Sequence, residues 1–176
     1  MQPPPSLVIG PMDGYTPAMG RLVGMMTYAR WTTMRAVEGL TTAQLDHLQD
    51  EGSNSIGALL AHITSVEVAY QRATFDGRCL SLPAHDSEWE IAVALGDRAR
   101  EALRGKPLEH YVGALEQVRA FTLGELARRD DAWLDETSAF GPRQVNNYFK
   151  WFHVYEDELS HRGQIRWLRQ RLPQAR

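Results

Sequence analysis

One cysteine, Cys79, is all the thiol chemistry that the 176-residue chain carries. An internal disulfide framework is therefore excluded, and a reducing compartment suits the chain. To act as a nucleophile Cys79 would need a base beside it in space, and the alternative is inert packing. Long apolar runs are absent too. Nowhere do about 18 apolar residues follow one another, which argues against a membrane-spanning helix. The opening "MQPPPSLVIGPMDG" has neither the basic start nor the apolar stretch of a secretion signal. The expectation is a cytoplasmic protein with no membrane partner. No window holds five or six like charges and the net charge is -3, so the electrostatic footprint of a nucleic-acid binder is missing and no nucleic-acid partner is expected. No repeat period is visible either.

With 43% hydrophobic and 23% charged residues, the composition is globular and the length is that of one domain. Residues 1–12, with "PPP" near their start, read as a stiff extended lead-in, and residues 13–173 as a single domain. Apolar spacing is helical almost throughout. From Asp13 to about Leu40, Met19, Leu22, Met26, Ala29, Thr33 and Val37 recur at three- and four-residue steps. Gly39 is a stop, and Thr41 or Thr42 caps a short helix through Leu45. Ser53 or Asn54 caps a second long helix, with Ile56, Leu59, Leu60, Ile63, Val66 and Tyr70 inward and Gly77 at its end.

Asp86 or Ser87 starts one short helix and "DRAREALRG" holds another, together forming a crossover. Pro107 opens a third long helix with Leu108, Tyr111, Leu115, Val118, Thr122 and Leu126 on one stripe. A loop containing "SAFGPRQ" leads to a fourth, "VNNYFKWFHVYEDELSHRGQIRWLRQRLP". No strand-like alternation is evident. The expected fold class is all-α, a four-helix bundle with one long crossover between the second and third long helices.

Bundles place metal and cofactor sites on facing helices. Residues four apart on a helix lie about 40° apart and one turn along, so His153, Asp157 and His161 form one slanting row. An imidazole and a carboxylate at that spacing can hold one divalent cation, but a further ligand must come from elsewhere. His62, inside the apolar run "GALLAHITSV", is a buried imidazole in need of a partner. Spacing alone leaves two readings open: a hydrogen-bonded core histidine with a solvated charged face, or a metal site. Di-iron chemistry is disfavoured, because Glu-x-x-His occurs once, from Glu158 to His161, and no zincin His-Glu-x-x-His motif occurs.

The segments "NSIGALLAHITSVEVAYQ" and "HVYEDELSHRGQI", preceded by "RLVGMMTYARWTTM", resemble the DinB/YfiT-like superfamily of metal-binding four-helix bundles, in order and over nearly the whole chain. The resemblance implies a divalent transition metal held by His62, Asp157 and His161, with His153 matching an extra histidine one turn earlier. The commonest residue at the place of Asp157 in that superfamily is histidine, and related maleylpyruvate isomerases use glutamate there. An aspartate, one methylene shorter, would hold the ion closer to its helix, with Glu158 or His153 as substitutes. Two imidazoles and a carboxylate suit zinc, nickel, ferrous iron or manganese.

Three protein ligands leave coordination positions open, as catalytic sites require. The implied activity is a metal-dependent S-transferase or isomerase using a low-molecular-weight thiol of the bacillithiol, mycothiol or glutathione type, with that thiol and an electrophile as its small-molecule partners. The alternatives are a metal-assisted hydrolase on the same residues, or a non-catalytic, stress-associated binding or scaffold bundle. The resemblance also implies a homodimer.

Other residues carry double readings. Arg162 and Gln164 either serve the site or tie the last helix to a neighbour. Gly163, unfavourable inside a helix, suggests close approach of another helix. Glu67 is either an acceptor for a ligand imidazole or an exposed helix carboxylate. Arg169 and Arg171 complement the dipole of the last helix. The five tryptophans read as core filling, and His47, His85 and His110 are assigned no role.

Overall fold

The computed structural model describes residues 4–75 and 87–173. Gly77 at the expected end of the second long helix, Asp86 as a candidate cap, Cys79 and His85 lie outside them. The elements are α1 (Pro17–Val37), α2 (Thr42–Leu45), α3 (Ile56–Thr74), α4 (Ser87–Ala94), α5 (Gly96–Ala102), α6 (Leu108–Leu126), α7 (Asp131–Asp135), β1 (Thr137–Phe140), β2 (Arg143–Asn146) and α8 (Asn147–Arg169). The four long helices α1, α3, α6 and α8 form the bundle, and α4 and α5 lie on the crossover from α3 to α6.

Helix ends follow local chemistry. The first helix begins at Pro17 rather than near Asp13, because proline tolerates the first helical position, where an N–H would go unpaired. Thr16 supplies no side-chain cap. Asp131, from the start of α7, accepts instead from the Ala18 and Met19 amides at 3.1 Å and from the Thr16 hydroxyl. At the other end of α1, Arg169 donates to the Ala36 and Glu38 carbonyls at 2.7 and 3.0 Å. Lying in the last turn of α8 as expected, it thus also caps a neighbouring helix. Thr41 and Gln44 make a reciprocal capping box on α2. Ser55, not Ser53 or Asn54, caps α3 by accepting from Ala58 N at 3.1 Å.

The expected loop around "SAFGPRQ" is a β-hairpin. β1 pairs antiparallel with β2, Thr137 opposite Asn146 and Phe140 opposite Arg143, around Gly141 at φ +58°. Every residue of β1 is exposed. With neither face buried, no alternation of apolar and polar residues marks the strand. Val145 and Asn146 consequently belong to β2, and α8 starts at Asn147 with Asn146 accepting from Phe149 N at 2.8 Å.

The buried interior divides in two. One half gathers Val37, Leu59, Leu60, Tyr111, Leu115 and Ile165. The other gathers Met19, Met26, Tyr70, Phe75, Leu126 and Trp151. Gly57 serves the first half, where a Cβ would come within 2.6 Å of the Tyr111 hydroxyl. Between the halves, each long helix contributes one buried charge: Arg30 from α1, Glu67 from α3, Arg119 from α6 and Glu158 from α8.

Each carboxylate in that layer bridges both guanidinium groups. Arg30 donates to Glu158 at 2.8 Å and to Glu67 at 2.9 Å, while Arg119 donates to Glu67 at 2.8 Å and to Glu158 at 3.0 Å. The arginines also reach main-chain carbonyls, Arg30 that of Leu115 and Arg119 that of Met26. Burial opposes ionisation of Glu67, yet Arg119 and Arg30 together hold its carboxyl down at about 2.

Candidate metal centre

Antiparallel packing of α3 against α8 carries His62 to the level of Asp157 and His161. The potential ligand atoms of these three residues all lie within 4.8 Å of one another. His62 Nε2 stands 3.7 Å from Asp157 Oδ2, and His161 Nε2 stands 3.4 Å from Asp157 Oδ1. The imidazole rings meet edge to face with centroids 4.6 Å apart.

Their tautomers follow from the other ring nitrogens. His62 Nδ1 is 2.9 Å from the Ala92 carbonyl of α4, an acceptor only, so Nδ1 carries the proton and Nε2 presents its lone pair to the cluster. His161 Nδ1 faces Gln164 Oε1 at 3.3 Å with the same consequence. Such partners orient metal-ligating histidines generally.

Asp157 is the unusual member. Its Oδ2 is buried without a hydrogen-bond partner among the described residues. The nearest imidazole atom, His62 Nε2 at 3.7 Å, is farther away than a good hydrogen bond. Burial disfavours the carboxylate, but His161 and His62, when protonated, outweigh it by hydrogen bonding and charge and hold the Asp157 carboxyl well below the usual range. Burial likewise opposes protonation of His62, but the Asp157 carboxylate and the Ala92 and Val93 carbonyls raise its pKa on balance.

The donor set fits a cation. Ligand bonds of 2.0–2.1 Å to a tetrahedral ion place neighbouring donors about 3.3 Å apart, close to the observed carboxylate–imidazole separations. A cation here would supply the unpartnered oxygen with the charge that it lacks.

The other residues of the row go elsewhere. His153 lies outside the cluster, its Nδ1 3.0 Å from Glu156 Oε2. Glu158 is committed to the arginines. Glu67 neither accepts from an imidazole nor is exposed; it lies in the same ionic layer. Gln164 serves His161, and Arg162 donates to Thr32, tying α8 to α1. Gly163 does not mark close helix approach, since a Cβ there would meet nothing within 4 Å. It lines an open groove with Ser53, Asn54 and Trp167. Trp151 is core as expected, whereas Trp167 is 46% exposed beneath the Arg171 guanidinium.

Sequence reasoning missed the ionic layer and the Ala92 carbonyl. A basic or acidic residue in the middle of each long helix, two of each sign, was the available signal for the former. For the latter there was none, because a main-chain acceptor has no residue type.

A family model described as mycothiol-S-transferase matches residues 21–174. The crystal structure of a conserved protein from Enterococcus faecalis superposes with a TM-score of 0.68 at 17% identity, covering 85% of this chain and 93% of that one. At that identity the likeness establishes the helical-bundle fold. No curated protein matches the chain. Among the described residues no helix is long and apolar enough to cross a membrane.

Proposed function

The chain belongs to the mycothiol-S-transferase family, a DinB/YfiT-like family, and from that premise we propose that it is a metal-dependent S-transferase. It joins the sulfur of a low-molecular-weight thiol to an electrophilic carbon, with His62, Asp157 and His161 holding a divalent transition metal. Among thiols, the family description favours mycothiol. The observation that carries the reading is the Asp157 carboxylate, its buried Oδ2 unpartnered among the described residues, with His62 Nε2 on the Oδ2 side and His161 Nε2 on the Oδ1 side.

A divalent ion at such a position supplies acidity, so that a neighbouring thiol gives up its proton near neutral pH. The protein's residues do the rest. Ala92 and Gln164 keep both Nε2 atoms turned inward, and the buried Asp157 carboxylate offsets part of the ionic charge. In the reaction the S–H bond breaks and its proton passes to solvent. A sulfur–carbon bond forms, and the electrophile's leaving group departs with its electron pair.

The test is elemental mass spectrometry on untagged protein purified without chelator. About one equivalent of zinc, nickel, iron or manganese is expected in the parent. Folded His62→Ala and Asp157→Ala proteins should hold less than about a tenth of that. The cobalt-loaded parent should then develop a sulfur-to-metal charge-transfer band on addition of thiol. A parent that takes up none of these metals when they are supplied sinks the proposal.

A further inference from the structure

Beside the cluster, four aromatic rings close into a circuit. Phe149 stacks near His153 with centroids 6.1 Å apart, and His153 meets Tyr70 edge-on at 5.9 Å. Tyr70 lies over Phe140 at 6.2 Å, and Phe140 meets Phe149 edge-on at 6.4 Å. Three elements supply them: α3 gives Tyr70, β1 gives Phe140, and α8 gives Phe149 and His153. Tyr70 is buried and forms a floor. Phe140 and Phe149 remain 43% and 42% exposed, and the His153 side chain 38%.

Phe140 and Phe149 meet edge-on while both remain exposed, which puts two large aromatic side chains side by side at the surface. Phe149, His153, Asp157 and His161 follow one another at four-residue steps on α8, so one wall of the basin runs directly into the candidate metal centre. The Tyr70 hydroxyl makes no hydrogen bond among the described residues. A tyrosine phenol keeps its proton at neutral pH and so remains a donor.

We propose that the basin binds the electrophile, a planar aromatic or conjugated molecule held among these rings, with the Tyr70 hydroxyl donating to one of its oxygens and its reactive carbon turned towards His62, Asp157 and His161. The inference rests on the transferase reading above. A quaternary ammonium, the other usual guest of aromatic boxes, would sit beside a site built for a divalent cation and be repelled by it. A second protein copy needs about 800 Å² of each partner, whereas this feature is one circuit of four rings.

Two measurements test the proposal on the full-length protein. In the first, dinitroaniline, a planar nitroaromatic without a leaving group, is titrated by NMR into metal-free and zinc-loaded protein. Saturable binding is expected, weakened about tenfold in Phe149→Ala and in Phe140→Ala, both surface substitutions, and about threefold in Tyr70→Phe. Unchanged affinity in both phenylalanine variants overturns the proposal. So does tighter binding of phenyltrimethylammonium. So does a self-association, seen by sedimentation, that Phe149→Ala abolishes while leaving dinitroaniline affinity intact.

In the second, kcat/KM with thiol is compared for chlorodinitrobenzene, which loses chloride, and iodoacetamide, which loses iodide. Phe149→Ala should lower their ratio about tenfold, through KM for the aromatic substrate. An unchanged ratio counts against the basin. If neither electrophile is turned over, the transferase reading fails and the titration still decides the basin.

Discussion

Asp157 and Glu158 are neighbours on α8 with the same functional group and opposite surroundings. Glu158 points into the bundle, where two arginines satisfy both of its oxygens at 2.8 to 3.3 Å. Asp157 points towards α3 and leaves one buried oxygen without a donor. In the ionic layer every carboxylate oxygen has a donor. The His62–Asp157–His161 cluster leaves one carboxylate oxygen unsatisfied among the described residues and could hold a cation. Burial and depressed carboxyl pKa values are common to Asp157 and Glu67 in these two regions, so neither property identifies the site. The unsatisfied valence does.

The comparison breaks first on stability. Glu158→Ala and Glu67→Ala each leave two arginines short of a partner in the interior and should cost about 3–5 kcal/mol in urea unfolding. Asp157→Asn in metal-free protein should cost less than about 1 kcal/mol. Equal losses at Glu158 and Asp157 would erase the distinction.

Acid sharpens it next. The Glu67 carboxyl titrates at about 2 in the folded protein against an ordinary 4.5, so the unfolded chain binds that proton more tightly. The stabilisation is complete above about pH 4.5 and drains away as the pH falls towards 2. Its total is on the order of 3 kcal/mol. Urea midpoints measured over that window should fall more steeply for the parent than for Glu67→Gln.

On the open side the effects are smaller and fall on affinity. Gln164→Ala frees the His161 ring and should weaken zinc binding about tenfold in a competition titration with a chromophoric chelator, with the unfolding midpoint unmoved. Smallest of all, Gly163→Ala meets no atom and should stabilise α8 by up to about 1 kcal/mol in thermal unfolding, leaving zinc affinity as it was.

The four long helices were legible because each buries a continuous stripe, and spacing of three and four residues reports such a stripe directly. The row on α8 was legible for the same geometric reason, and His62 stood out as a polar residue in an apolar run. The hairpin was not legible, since strands exposed on both faces carry no period. Nor was the ionic layer, because periodicity sorts single helices into inward and outward faces and assigns charges outward. Arg30, Glu67, Arg119 and Glu158 are inward only because the other three are. Gly163 misled for a related reason: an absent side chain looks the same whether a helix or open space stands opposite.

The ionic layer also works as a tooth in a ratchet. Sliding α8 by one turn against the other helices would bring either Val154 or Arg162 to the level now held by Glu158. The first would strand Arg30 and Arg119 without half of their countercharge, and the second would add a third guanidinium to them. Both slips are penalised at the centre of the molecule, where apolar side chains alone would exchange places at small cost. The single register that survives is the one that brings Asp157 and His161 opposite His62.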